Sequence, residues 1–219
     1  MNILIFLGPA GSGKGTQAQF LTQKLGYFHV STGDLLRKEV ASKSDLGQQV
    51  ESIINNGDLV SDDIIISIIK QTLNELVAKS DCHGVIFDGF PRTKDQAMAL
   101  DELVHSFNFN LPSVIYFDLS LEESIQRISG RLIDSRNNNV YHKDSNPPPE
   151  DAMPFLMTRE DDVPEKVTHR YGVYQRSTEP LLDFYDGRTT TLDCLQSIHT
   201  LNQLLIDNVD SMNQSLHSG

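Results

Sequence analysis

Glycine, lysine and arginine carry the clearest chemistry in this chain of 219 residues. Gly8-Pro9-Ala10-Gly11-Ser12-Gly13-Lys14-Gly15-Thr16 follows an apolar run of strand length, and Gln17–Leu25 then reads as a helix closed by Gly26. Glycines let a backbone curl so that several N–H groups face one anion, and the helix behind adds its positive N-terminal end. Lys14 supplies a mobile charge for outer phosphates. The pattern departs in one place, because Gly15 stands where Ser or Thr usually holds Mg²⁺ and Thr16 comes one position late. A phosphate-binding loop is expected here; what it does with the phosphate depends on the rest of the chain.

Further candidates lie where strands give way to helices. Ser31 and Thr32 suit a helix N-cap, and Arg37 follows about one turn later. They make either a second anion site or a plain cap with a solvated arginine. Gly84–Asp88 reads as a strand ending in a carboxylate, followed by Gly89-Phe90-Pro91-Arg92, with Gln96 one turn beyond Arg92. Asp88 is a hard oxygen ligand for Mg²⁺, direct or through water, or else a cap. Arg92 offers a phosphate a two-pronged fork. Arg127 and Arg131, four apart, are expected to stack on one helix beside a stripe of Leu121, Ile125, Ile128 and Leu132. Arg159 and Arg170 follow on the return path of a polar segment, Asp134–Pro164.

The elements that position these residues alternate. Strands are expected near the N-terminus and at Tyr27–Ser31, Gly84–Asp88, Ser113–Leu119 and Thr189–Leu192, and helices fall between them. Asp162 is expected to cap the helix entered through Pro164, and the last helix to run Ile198–Val209 before a frayed tail. The pattern predicts an α/β fold with a parallel sheet. Such sheets bind ligands beyond the carboxyl ends of their strands, so these motifs should meet in one cleft. The polar segment is too long for a structureless connection, and reads either as a flap with its own small sheet, around Val140-Tyr141-His142, or as a disordered loop.

Composition narrows the class. A net charge of −12 argues against general nucleic-acid or anionic-membrane binding. No apolar run reaches the roughly 20 residues of a membrane span. The two cysteines, Cys82 and Cys194, stand far apart in no metal-like spacing, and are expected to be reduced, buried and cytoplasmic. Lys14, Arg37, Arg92, Arg131, Arg159 and Arg170 are more positive charge than one triphosphate needs, so two phosphate-bearing ligands are expected. No histidine or carboxylate stands out as a general base. A phosphate acceptor needs none, since its second pKa is about 6.

The motifs also carry a resemblance. Gly8–Gln17, Ser31–Arg37, Asp88-Gly-Phe-Pro-Arg-Thr93 and Gly130-Arg131 resemble adenylate kinases of the long form, over nearly the whole chain. The resemblance implies a P-loop nucleoside monophosphate kinase fold with a five-stranded parallel sheet. Residues 1–30, 61–129 and 163–219 would be the core, 31–60 an AMP-binding lobe and 130–162 a lid. It implies reversible phosphoryl transfer between Mg–ATP and AMP giving two ADP. Gly11, Ser12, Gly13, Lys14, Gly15 and Thr16 would hold the ATP phosphates. Arg127 would stack on the ATP adenine, Val140 and Tyr141 would cover it, and Gln196 would touch its edge. Thr32, Arg37, Asp58, Leu59, Val60, Gly89, Phe90, Pro91, Arg92 and Gln96 would line the AMP site. Lys14, Arg92, Arg131, Arg159 and Arg170 would act in transfer, Arg159 and Arg170 also on the AMP side. Asp88 would serve Mg²⁺ through water.

Three departures stand out. Some long-form lids hold zinc on four cysteines; this one has none, so no structural zinc is expected. The lid is also short after Pro147-Pro148-Pro149, and Asp193-Cys194-Leu195-Gln196 replaces the usual aspartate–glycine turn. A cytoplasmic monomer without nucleic-acid or membrane partners is expected. The competing readings are a GTP:AMP or UMP/CMP kinase, a nucleotide-binding module without turnover, and a simple ATPase.

Overall fold

The computed structural model describes residues 1–78 and 83–217, with side chains as far as Met212. The chain forms β1 (Asn2–Leu7), α1 (Lys14–Leu25), β2 (Tyr27–Ser31), α2 (Thr32–Ser42), α3 (Asp45–Asn56), α4 (Asp62–Val77), β3 (Gly84–Asp88) and α5 (Lys94–Ser106). There follow β4 (Ser113–Asp118), α6 (Leu121–Ser129), β5 (Arg131–Asp134), β6 (Val140–His142), a 3-10 turn (Glu150–Phe155) and β7 (Leu156–Met157). The chain closes with α7 (Pro164–Ser177), α8 (Leu181–Phe184), β8 (Thr189–Asp193) and α9 (Ile198–His217).

Five strands make one parallel sheet in the order β2-β3-β1-β4-β8, as the alternating pattern predicts. The apolar runs are continuous because both faces are covered. On β1, Ile3, Ile5 and Leu7 point into a layer with Ile69, Leu73 and Leu100. Leu4 and Phe6 point the other way, against Ala18, Leu21, Leu201 and Leu205 of α1 and α9. With Phe6 opposite Asp88 and Leu7 opposite Tyr116, the sheet ends its central strands together, and the phosphate-binding loop leaves from that edge.

The polar segment holds its own antiparallel sheet, ordered β6-β5-β7. Arg136 sits in the turn that follows β5. Its Nη2 donates to Asp134 Oδ2 at 2.6 Å, and its guanidinium lies 4.3 Å from the centre of the Phe155 ring.

Three expectations need correction. Helix α6 stops at Ser129, so Arg131 and Leu132 belong to β5, and Arg131 does not stack on Arg127. The His142 ring fills the space where a Cβ on Gly130 would lie, and the chain turns into the small sheet there. Asp162 does not cap α7; Val163 occupies that position without a side-chain cap, because the Asp162 carboxylate is held by Arg131. Helix α9 continues to His217 instead of fraying after Val209. Cys194 is a free, buried thiol, while Cys82 lies outside the described residues. Among the described residues no helix is long and apolar enough to cross a membrane.

Candidate active site

The loop between β1 and α1 is shaped by backbone that other residues resist. Gly13, immediately before α1, has φ 92°, in the left-handed region. Ser124 of α6 pins the loop from behind, its hydroxyl donating to Ala10 O at 2.5 Å. The Lys14 ammonium folds over the loop, donating to Gly8 O at 2.8 Å, Pro9 O at 2.7 Å and Ser12 Oγ at 3.2 Å. Burial pushes its pKa down to about 8, against the pull of Asp88. Asp88 faces the same mouth: a Cβ on Gly15 would lie 3.6 Å from its Oδ2. Burial would raise the Asp88 carboxyl, but His29, Lys14 and Arg92 outweigh it and hold the group below the usual carboxylate range. His29 Nε2 lies 3.4 Å from Asp88 Oδ2.

This loop floors a cleft of about 940 Å³. Arg127, Arg131, Val140, Tyr141, Arg159 and Gln196 all line it, with Pro91 and Arg170 at its inner end. Arg127 Nη2 donates to the carbonyl of Cys194 at 2.6 Å, which joins α6 to the turn after β8 and sets the guanidinium beside Gln196. Gln19 of α1 reaches across to Asn139 of the small sheet's loop at 3.1 Å. The cleft is within the size range of small-molecule sites.

A second pocket of about 60 Å³ opens beside it, lined by Thr32, Arg37, Asp58, Leu59, Val60, Gly89, Arg92, Gln96 and Arg170. Sequence reading missed the apolar walls Leu36, Ile54 and Ile65, and with them Gly33, Gly57 and Asp161. The helical period of α2, α3 and α4 offers the apolar three, but so many apolar positions on those helices serve the core that spacing alone does not single them out. Phe90 is different. Its side chain is buried edge-on against Phe87, and it lines neither pocket.

Arginines occupy the ground between the pockets, and three carboxylates hold them. Arg131 grips Asp162 with Nε, at 2.9 Å, and with Nη2. Arg170 Nη1 lies 2.6 Å from Asp161 Oδ2. Asp34 Oδ1 receives both Arg37, at 2.6 Å, and Arg159, at 3.2 Å. Arg92 Nε donates to Gly89 O at 2.9 Å. Burial and the other arginines push Arg92 and Arg159 down to about 10, Arg170 being the chief neighbour of Arg92 and Arg37 that of Arg159. Mutual repulsion of this kind marks a place prepared for anions. The acids Asp34, Asp161 and Asp162 went unnoticed as partners, although Asp161 and Asp162 follow Arg159 with only Glu160 between.

A phosphate-binding loop at the carboxyl edge of a parallel sheet, facing a second pocket across a belt of arginines, defines a nucleotide phosphotransferase. The family model described as adenylate kinase matches residues 6–190. The adenylate kinase of Thermosipho africanus (strain TCF52B) is 46% identical over 188 residues, spanning 83% of this chain and 86% of that protein. That of Archaeoglobus fulgidus is 43% identical over 188 residues, or 83% and 85% of the two chains. That of Petrotoga mobilis (strain DSM 10674 / SJ95) is 36% identical over 218 residues, or 96% and 99%. The chain belongs to the adenylate kinase family.

Proposed function

We propose that the two pockets are the donor and acceptor halves of one site, in which the chain, as an ATP:AMP phosphotransferase, interconverts Mg–ATP plus AMP with two ADP. The observation that carries the two-ligand reading is the arginine belt. Arg92, Arg131, Arg159 and Arg170 come from four separate segments, and all line the large cleft. Binding one triphosphate on the loop does not call for that much charge.

On the donor side, the N–H groups of Gly11–Thr16 cradle the phosphates and Lys14 moves from the loop carbonyls to the outer ones. Arg127 stacks on the adenine, Val140 and Tyr141 cover it, and Gln196 meets its edge. On the acceptor side, Thr32, Arg37, Asp58, Leu59, Val60, Gly89, Pro91, Arg92 and Gln96 receive AMP. Residues 31–60 act as the acceptor lobe and 130–162 as the lid. A pocket of about 60 Å³ is far smaller than the roughly 300 Å³ of typical ligand sites. The acceptor lobe must therefore swing outward to admit AMP.

The acceptor phosphate is already an anion at neutral pH, so no side chain has to remove a proton from it. What the protein must do is hold two anions in line and neutralise the charge that develops on the moving phosphoryl group. The carboxylates on Arg131, Arg159 and Arg170 stand in for phosphates: they keep each guanidinium near its working position and are exchanged when nucleotide arrives. Closure of the lid excludes water, which would otherwise intercept the phosphoryl group.

Magnesium fits the residues present. Asp88 is a largely buried carboxylate held ionised at the loop mouth, a hard oxygen of the kind that a largely hydrated ion shared with phosphates takes. Asp88 and Thr16 would hold Mg²⁺ there, where it supplies positive charge to the phosphates and orients them. We also read the chain as a cytoplasmic monomer, supported by its free thiol at Cys194 and by a site built from one chain.

The test is ADP formation with a panel of acceptors and donors. Turnover with ATP and AMP exceeding that with UMP, CMP or GTP supports the assignment. Preference for a pyrimidine acceptor, or ATP hydrolysis indifferent to AMP, would overturn it.

A further inference from the structure

Gln96 sits in the wall of the smaller pocket, yet its amide is gripped from two sides. Its Oε1 accepts the backbone N–H of Arg92 at 2.8 Å. Its Nε2 donates to Asp62 Oδ1 at 2.7 Å. The other Asp62 oxygen accepts the Thr93 hydroxyl at 2.9 Å, so the carboxylate is itself fixed. Gln96 is 2% exposed, which leaves its amide little room to move. A carboxamide can usually exchange its oxygen and nitrogen by turning half a revolution. Here that turn would set NH₂ against an N–H and oxygen against a carboxylate. Two good hydrogen bonds would become two repulsions, one of them involving a full charge.

One Nε2 hydrogen and one Oε1 lone pair are left over, in fixed relative positions. That order matters for a purine. Adenine presents an amino donor beside the N1 acceptor. Hypoxanthine presents the O6 acceptor beside an N1–H donor, the reverse arrangement in the same outline. A freely turning amide would serve both bases, whereas a locked one serves only one of them. Apolar walls from Leu36, Ile54 and Ile65 cannot tell them apart. A polar group that cannot adapt discriminates strongly, because the wrong base leaves it unpaired.

We infer that Asp62 is a specificity-determining positioning residue: by locking the Gln96 amide it makes the acceptor pocket read a 6-aminopurine and reject a 6-oxopurine. The inference rests on the smaller pocket being the AMP site. Asp62 touches no substrate and acts only through Gln96. It stands in the first turn of α4, on the far side of the amide from Arg92, so it also ties the entry of that helix to the loop after β3.

The test compares AMP with IMP as acceptor, at saturating Mg–ATP, in the wild type, Asp62→Asn, Asp62→Ala and Gln96→Ala. Asparagine keeps the shape and can turn its own amide to meet either form of Gln96. Alanine deletes the acceptor and serves as the second variant should asparagine fold poorly. In both Asp62 variants the KM for AMP should rise more than kcat falls. The ratio of kcat/KM for AMP over IMP should narrow about tenfold, the order expected from losing one charge-assisted hydrogen bond. Equal losses for AMP and IMP with an unchanged ratio would make Asp62 a purely structural residue and overturn the inference. Gln96→Ala separates the two levels. A narrowed ratio there with an unchanged ratio in the Asp62 variants refutes the lock alone. An unchanged ratio in Gln96→Ala removes the base contact itself, and the acceptor-site reading of this pocket with it.

Discussion

Arg131→Ala has two consequences that can be separated. The guanidinium lies in the cleft facing the phosphate-binding loop, and it also neutralises Asp162, a carboxylate with 7% of its side chain exposed. Removing a group that stabilises transition-state charge costs about 10²–10³ in kcat. Stranding a buried carboxylate costs roughly 3–5 kcal/mol. Arg170, 4.0 Å from Asp162, remains to soften the loss, so we expect about 2–3 kcal/mol. For a chain of this size that lowers Tm by roughly 5–10 °C. The double variant Arg131→Ala/Asp162→Asn removes the stranded charge. Its Tm should return most of the way, while kcat stays low. The assay is coupled detection of ADP beside thermal unfolding, with the KM for ATP measured in each variant. Recovery of kcat in the double variant would mean that Arg131 acts through the fold, and a loss confined to KM would make it a binding residue only.

Lys14 gives a pH effect of defined sign. Its free-enzyme pKa is about 8, and phosphate favours the charged ammonium, so ATP binding at pH 8.5 should take up a proton. Affinity should therefore fall as pH rises through about 8, and calorimetry in two buffers of different ionisation enthalpy measures the uptake; none at pH 8.5 would count against the contact. Asp88→Asn should weaken apparent Mg²⁺ affinity about 10–100-fold. Since Asp88 raises the Lys14 pKa, the same variant should move the proton uptake to lower pH. Arg136→Ala removes the side chain that pairs with both Asp134 and Phe155 in the small sheet. Limited proteolysis should then cut within residues 131–157 while the Tm of the main transition holds.

The main sheet was legible because its strands announce themselves twice, as apolar runs and as the origins of the phosphate-binding motifs. Gly84–Asp88 is the clearest case, since a strand buried on both faces has no other use for five such residues. The P-loop and the arginines were legible by type and spacing. Their partners were not. Asp162 looks like a cap in sequence, and only the turn at Gly130, which carries Arg131 into a strand, shows that the carboxylate is claimed across 31 residues. Local rules see a cap where a tertiary ion pair wins. The short α8 gave no signal because four residues cannot display a helical period. Asp62 is the same lesson at the acceptor pocket: in sequence it is an acid in the first turn of a helix, and its grip on Gln96 depends on the starts of α4 and α5 meeting.

The two-pocket reading stands or falls on the distance between the pockets. Two adenosines joined by five phosphates would span donor and acceptor halves at once, with the arginine belt around the middle of the chain. Titration calorimetry with Mg²⁺ should give one analogue per protein chain, an affinity far above that for ATP, and no further AMP binding once the analogue is bound. Two analogues per chain, or AMP still binding to the loaded protein, would mean that the pockets do not form one site.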